Sequence, residues 1–255
     1  SHIVPDCQQL RYAYGMKVSV LVIAHNESKH IASCLESLLA QTRNPDEILV
    51  INHNSTDSTG EVARRYPVTV LDYDGPRGSA YARVHGLESV TGDAILCIDG
   101  DAISAPFWVE IMINLLEKDG MVMVGSWIRM TGTWFAVLGS LRWYFTSPSR
   151  GYRATDYLWG ASFGIPSSQR EFVIHALTKG RELSEQLGLA YNPDDYWLAL
   201  YLHERGNLEV TNKTWVLAHA KETSNWQSFT RGIIAAGIRM KMQRFIRRNG
   251  LPAIA

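Results

Sequence analysis

The run Val18-Ser19-Val20-Leu21-Val22-Ile23-Ala24 is apolar at all but one position and lacks the in-and-out alternation of a strand with one wet face. Such a segment needs cover on both faces, which points to a parallel sheet whose strands are joined by helical crossovers. Ile31, Leu35, Leu38 and Leu39 then fall at helical spacing, and Ile48 to Ile51 reads as a second short strand beyond Pro45. A helix from about Asp57 to Tyr66, a strand at Val68 to Leu71, a helix from about Gly78 to Val90 and a strand at Ala94 to Ile98 continue the alternation. Trp108, Ile111, Met112, Leu115 and Leu116 keep a helical stripe, and Met121 to Val124 reads as a fifth strand.

This α/β unit covers residues 16–127. Residues 1–15 precede it without period or signal-peptide character, as a native tail or a leader added for expression. In residues 128–223 the pattern loosens into an aromatic-rich stretch (Trp134 to Phe145), a segment from Tyr157 to Ile165 and a helix from about Asp194 to Arg205. Residues 224–255 hold a closing helix from about Trp226 to Arg248. Nothing reads as a linker between independent units, so a single domain is expected.

Composition narrows the function classes. Of 255 residues 46% are apolar, and 25 Lys and Arg cancel 25 Asp and Glu, which disfavours both disorder and a surface that coats nucleic acid. The apolar stretch at Trp134 to Leu141 is far short of the ~18 residues of a membrane-spanning helix. Cys7, Cys34 and Cys97 have no zinc-like spacing and read as reduced core residues of a cytoplasmic protein.

In an open parallel sheet the ligand crevice lies beyond the carboxyl ends of the strands. Here the first strand ends in Ala24-His25-Asn26-Glu27, the second in Asn52-His53-Asn54-Ser55-Thr56-Asp57 and the fourth in Asp99-Gly100-Asp101. Helix capping accounts for Ser55 and Asp57. It does not account for two carboxylates flanking a glycine after a buried strand, whose repulsion a hard divalent cation would relieve. Mg²⁺ and Mn²⁺ favour a few protein oxygens completed by phosphate oxygens, hence a nucleoside diphosphate. The absence of GxGxxG and of a P-loop argues against dinucleotide oxidoreductases and P-loop enzymes.

The AHNE strand end, VINHNSTDST, GPRGSAYARVHGLESVTGDAILCIDGDA and NPDDYWLALYLHERG together resemble the family 2 glycosyltransferases over about Met16 to Gly206. The resemblance implies a GT-A fold: α/β, Rossmann-like, a mostly parallel central sheet with helices on both faces and an acceptor-side subdomain. It further implies an inverting enzyme that uses Mn²⁺ or Mg²⁺ to move one sugar from a nucleoside-diphosphate sugar, a UDP-sugar first, to a hydroxyl acceptor. Carried over by motif, Ala24, His25, Asn26, Glu27, Asn52, Asn54, Arg77, Arg83, Asp99 and Gly100 would hold the nucleotide-sugar. Asp101, Asp99 and His219 would hold the metal. Asp195 would be the general base with Asp194 positioning it, and Trp159 and Gly160 would lie on the acceptor side. The chain departs from the family where Asn52 and His53 replace common carboxylates, Asn54 the usual glycine and Asp194 a glutamate.

The acceptor class stays open among glycans, lipid-linked compounds and other hydroxyl carriers. The closing helix groups Ile234, Ile238, Met242, Phe245 and Ile246 near one face and Lys241, Arg244, Arg247 and Arg248 on much of the other, a pattern suited to peripheral contact at the inner membrane face. No nucleic-acid partner is expected. Two other readings share these residues: a nucleotidyltransferase, and a catalytically silent membrane-associated interaction module.

Overall fold

The computed structural model describes residues 15–131, 161–219 and 225–254. Strand β1 (Val18–Ala24) is buried along its whole length except at Ile23, as its composition demands. It lies between two parallel neighbours, β2 (Glu47–His53) and β4 (Ala94–Asp99), and β3 (Thr69–Tyr73) continues the parallel half beyond β2. Past β4 the pairing reverses: β7 (Ser162–Pro166) runs antiparallel to both β4 and β6 (Met121–Thr131). The long β8 (Asn207–His219) pairs parallel with β6 and antiparallel with the short β5 (Ala102–Ser104). The sheet order is β3-β2-β1-β4-β7-β6-β8-β5.

Each face of the sheet has its own core. Leu21, Leu49 and Ile95 point into one, beneath helices α3 (Ser79–Ser89), α5 (Arg170–Gln186), α6 (Asp194–His203) and α7 (Asn225–Asn249). Val20, Val50 and Leu96 point into the other, beneath α1 (Ile31–Leu39), α2 (Thr59–Ala63) and α4 (Trp108–Leu116). This is the two-faced α/β layering expected, and Cys34 and Cys97 are indeed free and buried, with burial pushing the Cys97 thiol up to about 12.

Several elements differ from the sequence expectation. Helix α2 begins at Thr59 rather than Asp57, because the Asp57 carboxylate accepts from the Thr59 N–H (3.0 Å), the Thr59 hydroxyl and the Ser28 N–H (3.1 Å). Helix α5 is not among the sequence expectations: on its inner face Ala176, Gly180 and Ser184 interrupt the stripe that Val173, Leu177 and Leu183 begin. Only Trp215 to Leu217 of β8 stood out, since the rest alternates with Asn, Glu, Thr and Lys. The closing helix seats Ile238 and Met242 in the core with Phe245 and Ile246 partly buried beside them, so most of the apolar face expected to meet a membrane is spent on the fold. Ile234 does not join it and is 45% exposed. Among the described residues no helix is long and apolar enough to cross a membrane. The Trp134 to Phe145 stretch lies outside the described residues.

Gly180 lets α5 approach α6, for a Cβ there would stand 2.7 Å from the Cβ of the fully buried Trp197. Gly180→Val is expected to cost about 2–3 kcal/mol by overpacking. Urea unfolding checks this, and a midpoint equal to wild type would contradict the close approach.

Candidate functional site

The strand order makes β1 and β4 the place where connections leave in opposite directions, and the crevice beyond their carboxyl ends is a ready ligand site. A cavity of about 260 Å³ opens there. Ala24, His25 and Glu27 line it from the end of β1 and His53 from the end of β2. Arg77, Gly78, Ser79 and Ala82 come from the start of α3, and Asp99, Gly100 and Asp101 from the turn after β4. Gly100 is required by its neighbours: its N–H donates to the Ile23 carbonyl (2.8 Å), and a Cβ would lie 2.9 Å from that of Ala24. The two aspartates therefore flank a residue pressed against β1.

Beneath this cavity Arg83, with a side chain 4% exposed, pairs with Asp194 and, at 3.1 Å, with Asp99. Asp194 is buried as well and also accepts from the Ser79 hydroxyl (2.8 Å). The start of α6 is thus tied to the start of α3 and the end of β4. Asp195 follows as a half-buried residue in the first turn of α6, where the helix dipole favours an ionised carboxylate. Burial works against the Arg83 cation, yet Asp194 and Asp99 outweigh it and hold the guanidinium protonated. Burial raises the Asp99 pKa to about 6 and Asp101 and Asp194 add to it, opposed by Arg83.

Not every expected residue reaches the cavity. Asn26 sits at φ 55° and its Oδ1 accepts from the Thr56 N–H (2.7 Å), locking the β1 end to the β2 end. Asn54, at φ 50°, donates to the Gly75 carbonyl (2.7 Å), and asparagine tolerates this left-handed conformation. Asn52 donates to Asp72 (2.7 Å), and its Oδ1 is buried without a partner among the described residues. Neither Asn52 nor Asn54 lines the cavity. His53 and Ser79 do line it, though the motif alone did not select them. The signal for His53 was its place as last residue of a strand, and for Ser79 its place at a helix start. The His53 ring bonds the Pro76 carbonyl (3.0 Å) and packs on Tyr73, and burial together with His25 and Arg77 lowers its pKa, so it is neutral at pH 7.

No group of three or more His, Cys, Asp or Glu forms a ready metal cage among the described residues. The donor set still suits a hard cation that takes few protein oxygens and completes its shell with phosphate, because Asp99 and Asp101 line one cavity and Asp101 adds to the rise that burial causes in the Asp99 pKa. The backbone relates one further expected ligand to this turn: Ala102 pairs with Ala218, so Asp101 and His219 are the chain neighbours of a paired couple. Trp159 and Gly160 lie outside the described residues.

A second cavity of about 410 Å³ shares Arg77, Gly78 and Ser79 with the first. Tyr81, Arg181, Tyr191 and Asn192 form its other side. It adjoins the start of α6, since Asp195 lies close enough to Tyr191 to add to the rise that burial causes in the phenol's pKa.

Residues 19–170 match the family model of glycosyl transferase family 2. The glycosyltransferase AglE of Haloferax volcanii is 31% identical over 121 residues, 45% of this chain and 40% of that protein. The glucosyl-dolichyl phosphate glucuronosyltransferase of the same organism is 29% identical over 132 residues, 47% of this chain and 42% of that protein. The match thus spans about two fifths of the length of these curated relatives. Among solved structures, glucosyl-3-phosphoglycerate synthase from Mycobacterium tuberculosis, in complex with Mn²⁺, UDP and phosphoglyceric acid, superposes with a TM-score of 0.60 at 19% identity, covering 96% of this chain and 83% of that one. The mannosyltransferase PcManGT from Pyrobaculum calidifontis, in complex with GDP-Man and Mn²⁺, gives 0.61 at 19% identity, covering 92% and 65%. The architecture is that of the GT-A glycosyltransferase structures.

Arg83→Met leaves Asp194 buried without its cation, and a loss of about 3–5 kcal/mol is expected in urea unfolding at pH 7. Arg83→Lys should recover only part, because an ammonium cannot span two carboxylates as a guanidinium does. Asp99 gives a pH dependence of definite sign. With a folded pKa of about 6 and an unfolded value of about 3.9, the folded state holds the extra proton between them, so metal-free stability falls as pH rises through that window. Asp99→Asn should remove this fall; unfolding midpoints of both proteins across the window test it, and identical slopes would refute it.

Proposed function

Because the chain belongs to glycosyl transferase family 2, we propose that it moves one sugar from a nucleoside-diphosphate sugar to an acceptor hydroxyl, with inversion. The observation that carries this reading is the Arg83 bridge, which joins Asp99 at the first cavity to the Asp194-Asp195 helix start beside the second. In this reading the first cavity takes the donor. Neutral His53 and the His25 ring offer the base a flat wall, and Arg77 and the start of α3 meet the diphosphate. Uridine is our first choice of base, supported by the UDP held in one structural relative, with guanosine next because another holds GDP-Man.

Asp101 and Asp99, with His219, would hold Mn²⁺ or Mg²⁺, which when bound stabilises the negative charge of the departing diphosphate. The acceptor is assigned to the second cavity, where its hydroxyl meets Asp195. That carboxylate takes the hydroxyl proton as the oxygen attacks the sugar from the face opposite the diphosphate. One displacement with one base inverts the anomeric centre. Arg83 and Asp194 set the base in position and do not touch the reacting atoms. Phosphoglyceric acid in one relative and the dolichyl phosphate in the name of another mark the range of acceptors to screen.

Asp195→Asn is expected to retain donor binding and fold stability while losing transfer by roughly 10²- to 10⁴-fold. Asp194→Asn differs in kind: it lowers the unfolding midpoint, because it takes away one of the two carboxylates that Arg83 bridges. Asp101→Asn should abolish the Mn²⁺ dependence of nucleoside diphosphate binding. The checks are nucleoside diphosphate release and calorimetric donor affinity for each variant. Release of pyrophosphate would show a nucleotidyltransferase, and near-normal transfer by Asp195→Asn would move the base elsewhere.

A further inference from the structure

Helix α7 carries six Lys and Arg and no Asp or Glu over residues 225–249, while the remainder of the chain has 19 basic against 25 acidic residues. The fold gives this asymmetry a direction. Ile238 and Met242 are buried and Phe245 and Ile246 half-buried against the core, so the helix is fixed in rotation and its opposite side faces solvent. That side presents Lys241, Arg244, Arg247 and Arg248, all exposed and none in an ion pair among the described residues. At the helical spacing of 3.6 residues per turn, Met240 falls in the middle of this basic face, in line with Arg244 and Arg247, and it is 54% exposed. Ile234, 45% exposed, lies two turns before Lys241 along the border of the same face.

We propose that the outer face of α7 is a docking surface for an anionic lipid bilayer. Cations gathered on one helix face, without an ion pair among the described residues, match a plane of lipid phosphates, and each is worth about a fivefold gain in partition near such a surface. A free methionine at their centre is a liability in water and for a purely ionic partner, whereas at the headgroup boundary it can bury its side chain. Because the apolar face is already committed to the core, the helix rests on the membrane through charge with one or two apolar insertions and does not sink into it. The flank of the helix adds an orientation: the exposed Gln243 donates to the Tyr196 hydroxyl (3.3 Å), and Tyr196 follows Asp195 directly. Docking through α7 therefore brings the start of α6 close to the lipid surface, where an acceptor embedded in the bilayer is carried to it.

The test is co-sedimentation of the whole chain with vesicles of phosphatidylglycerol and phosphatidylcholine, against phosphatidylcholine alone. Binding is expected only to the anionic vesicles and should fall steeply as salt shortens the screening length below ~10 Å. The variant with Lys241→Gln, Arg244→Gln, Arg247→Gln and Arg248→Gln should lose on the order of 10²-fold or more in partition. Met240→Ala should lose severalfold at unchanged salt dependence. Nucleoside diphosphate binding by the variants should match wild type, which separates failure of docking from failure of the fold or of the donor reading. Equal binding to neutral and anionic vesicles, salt-insensitive binding, undiminished binding by the fourfold variant, or preference for duplex DNA over vesicles would each overturn the proposal.

Discussion

A buried guanidinium between two carboxylates holds the two halves of this molecule in one geometry. Asp99 closes a strand of the parallel half, and Asp194 opens a helix far along the chain; neither element packs its functional end against the other through apolar contact alone. Desolvating Arg83 and Asp194 is expensive, and the attraction of buried charges repays it only when geometry and hydrogen bonding are good. Here the fork of Arg83, one nitrogen to each carboxylate, and the Ser79 hydroxyl supply both. Such an arrangement is a poor source of net stability and a strong source of specificity, because any relative shift of α3, α6 and β4 leaves a charge buried and unpaired.

Around that bridge the backbone is packed to tolerances that only particular residues meet. Gly100 lets the turn after β4 lie against β1, and Gly86, whose Cβ would run into the Leu21 side chain, lets α3 lie on the sheet. The consequence is positional. With α3 this close, its first turn reaches the carboxyl ends of β1 and β4, and one short stretch, Arg77 to Ser79, becomes the shared wall of two cavities.

How far the sequence could be read depended on how local the cause was. The parallel half was legible because buried strands need unbroken apolar runs, and the Asp99-Gly100-Asp101 turn because helix capping does not account for two carboxylates after such a strand. Helix α5 was hidden since close helix packing selects Ala and Gly, which weaken the very stripe that announces a helix. Strand β8 was hidden since its polar residues alternate too irregularly to be told from a loop. Asn52 and Asn54 were read as ligand groups from their place in the motif, yet the side chain of each answers a neighbouring backbone or carboxylate first.

By itself the sequence determined the layered α/β class, the strand ends where chemistry gathers and the family, all of which follow from nearest-neighbour patterning and motif order. Only the tertiary structure decided that Arg83 serves Asp194 and Asp99 together, that His53 and Ser79 line the cavity, and that α7 turns its apolar side inward and its cations out. These are contacts between residues as much as 111 and 115 positions apart, and a contact at that distance is chosen by how whole elements pack, which no local pattern of residues encodes.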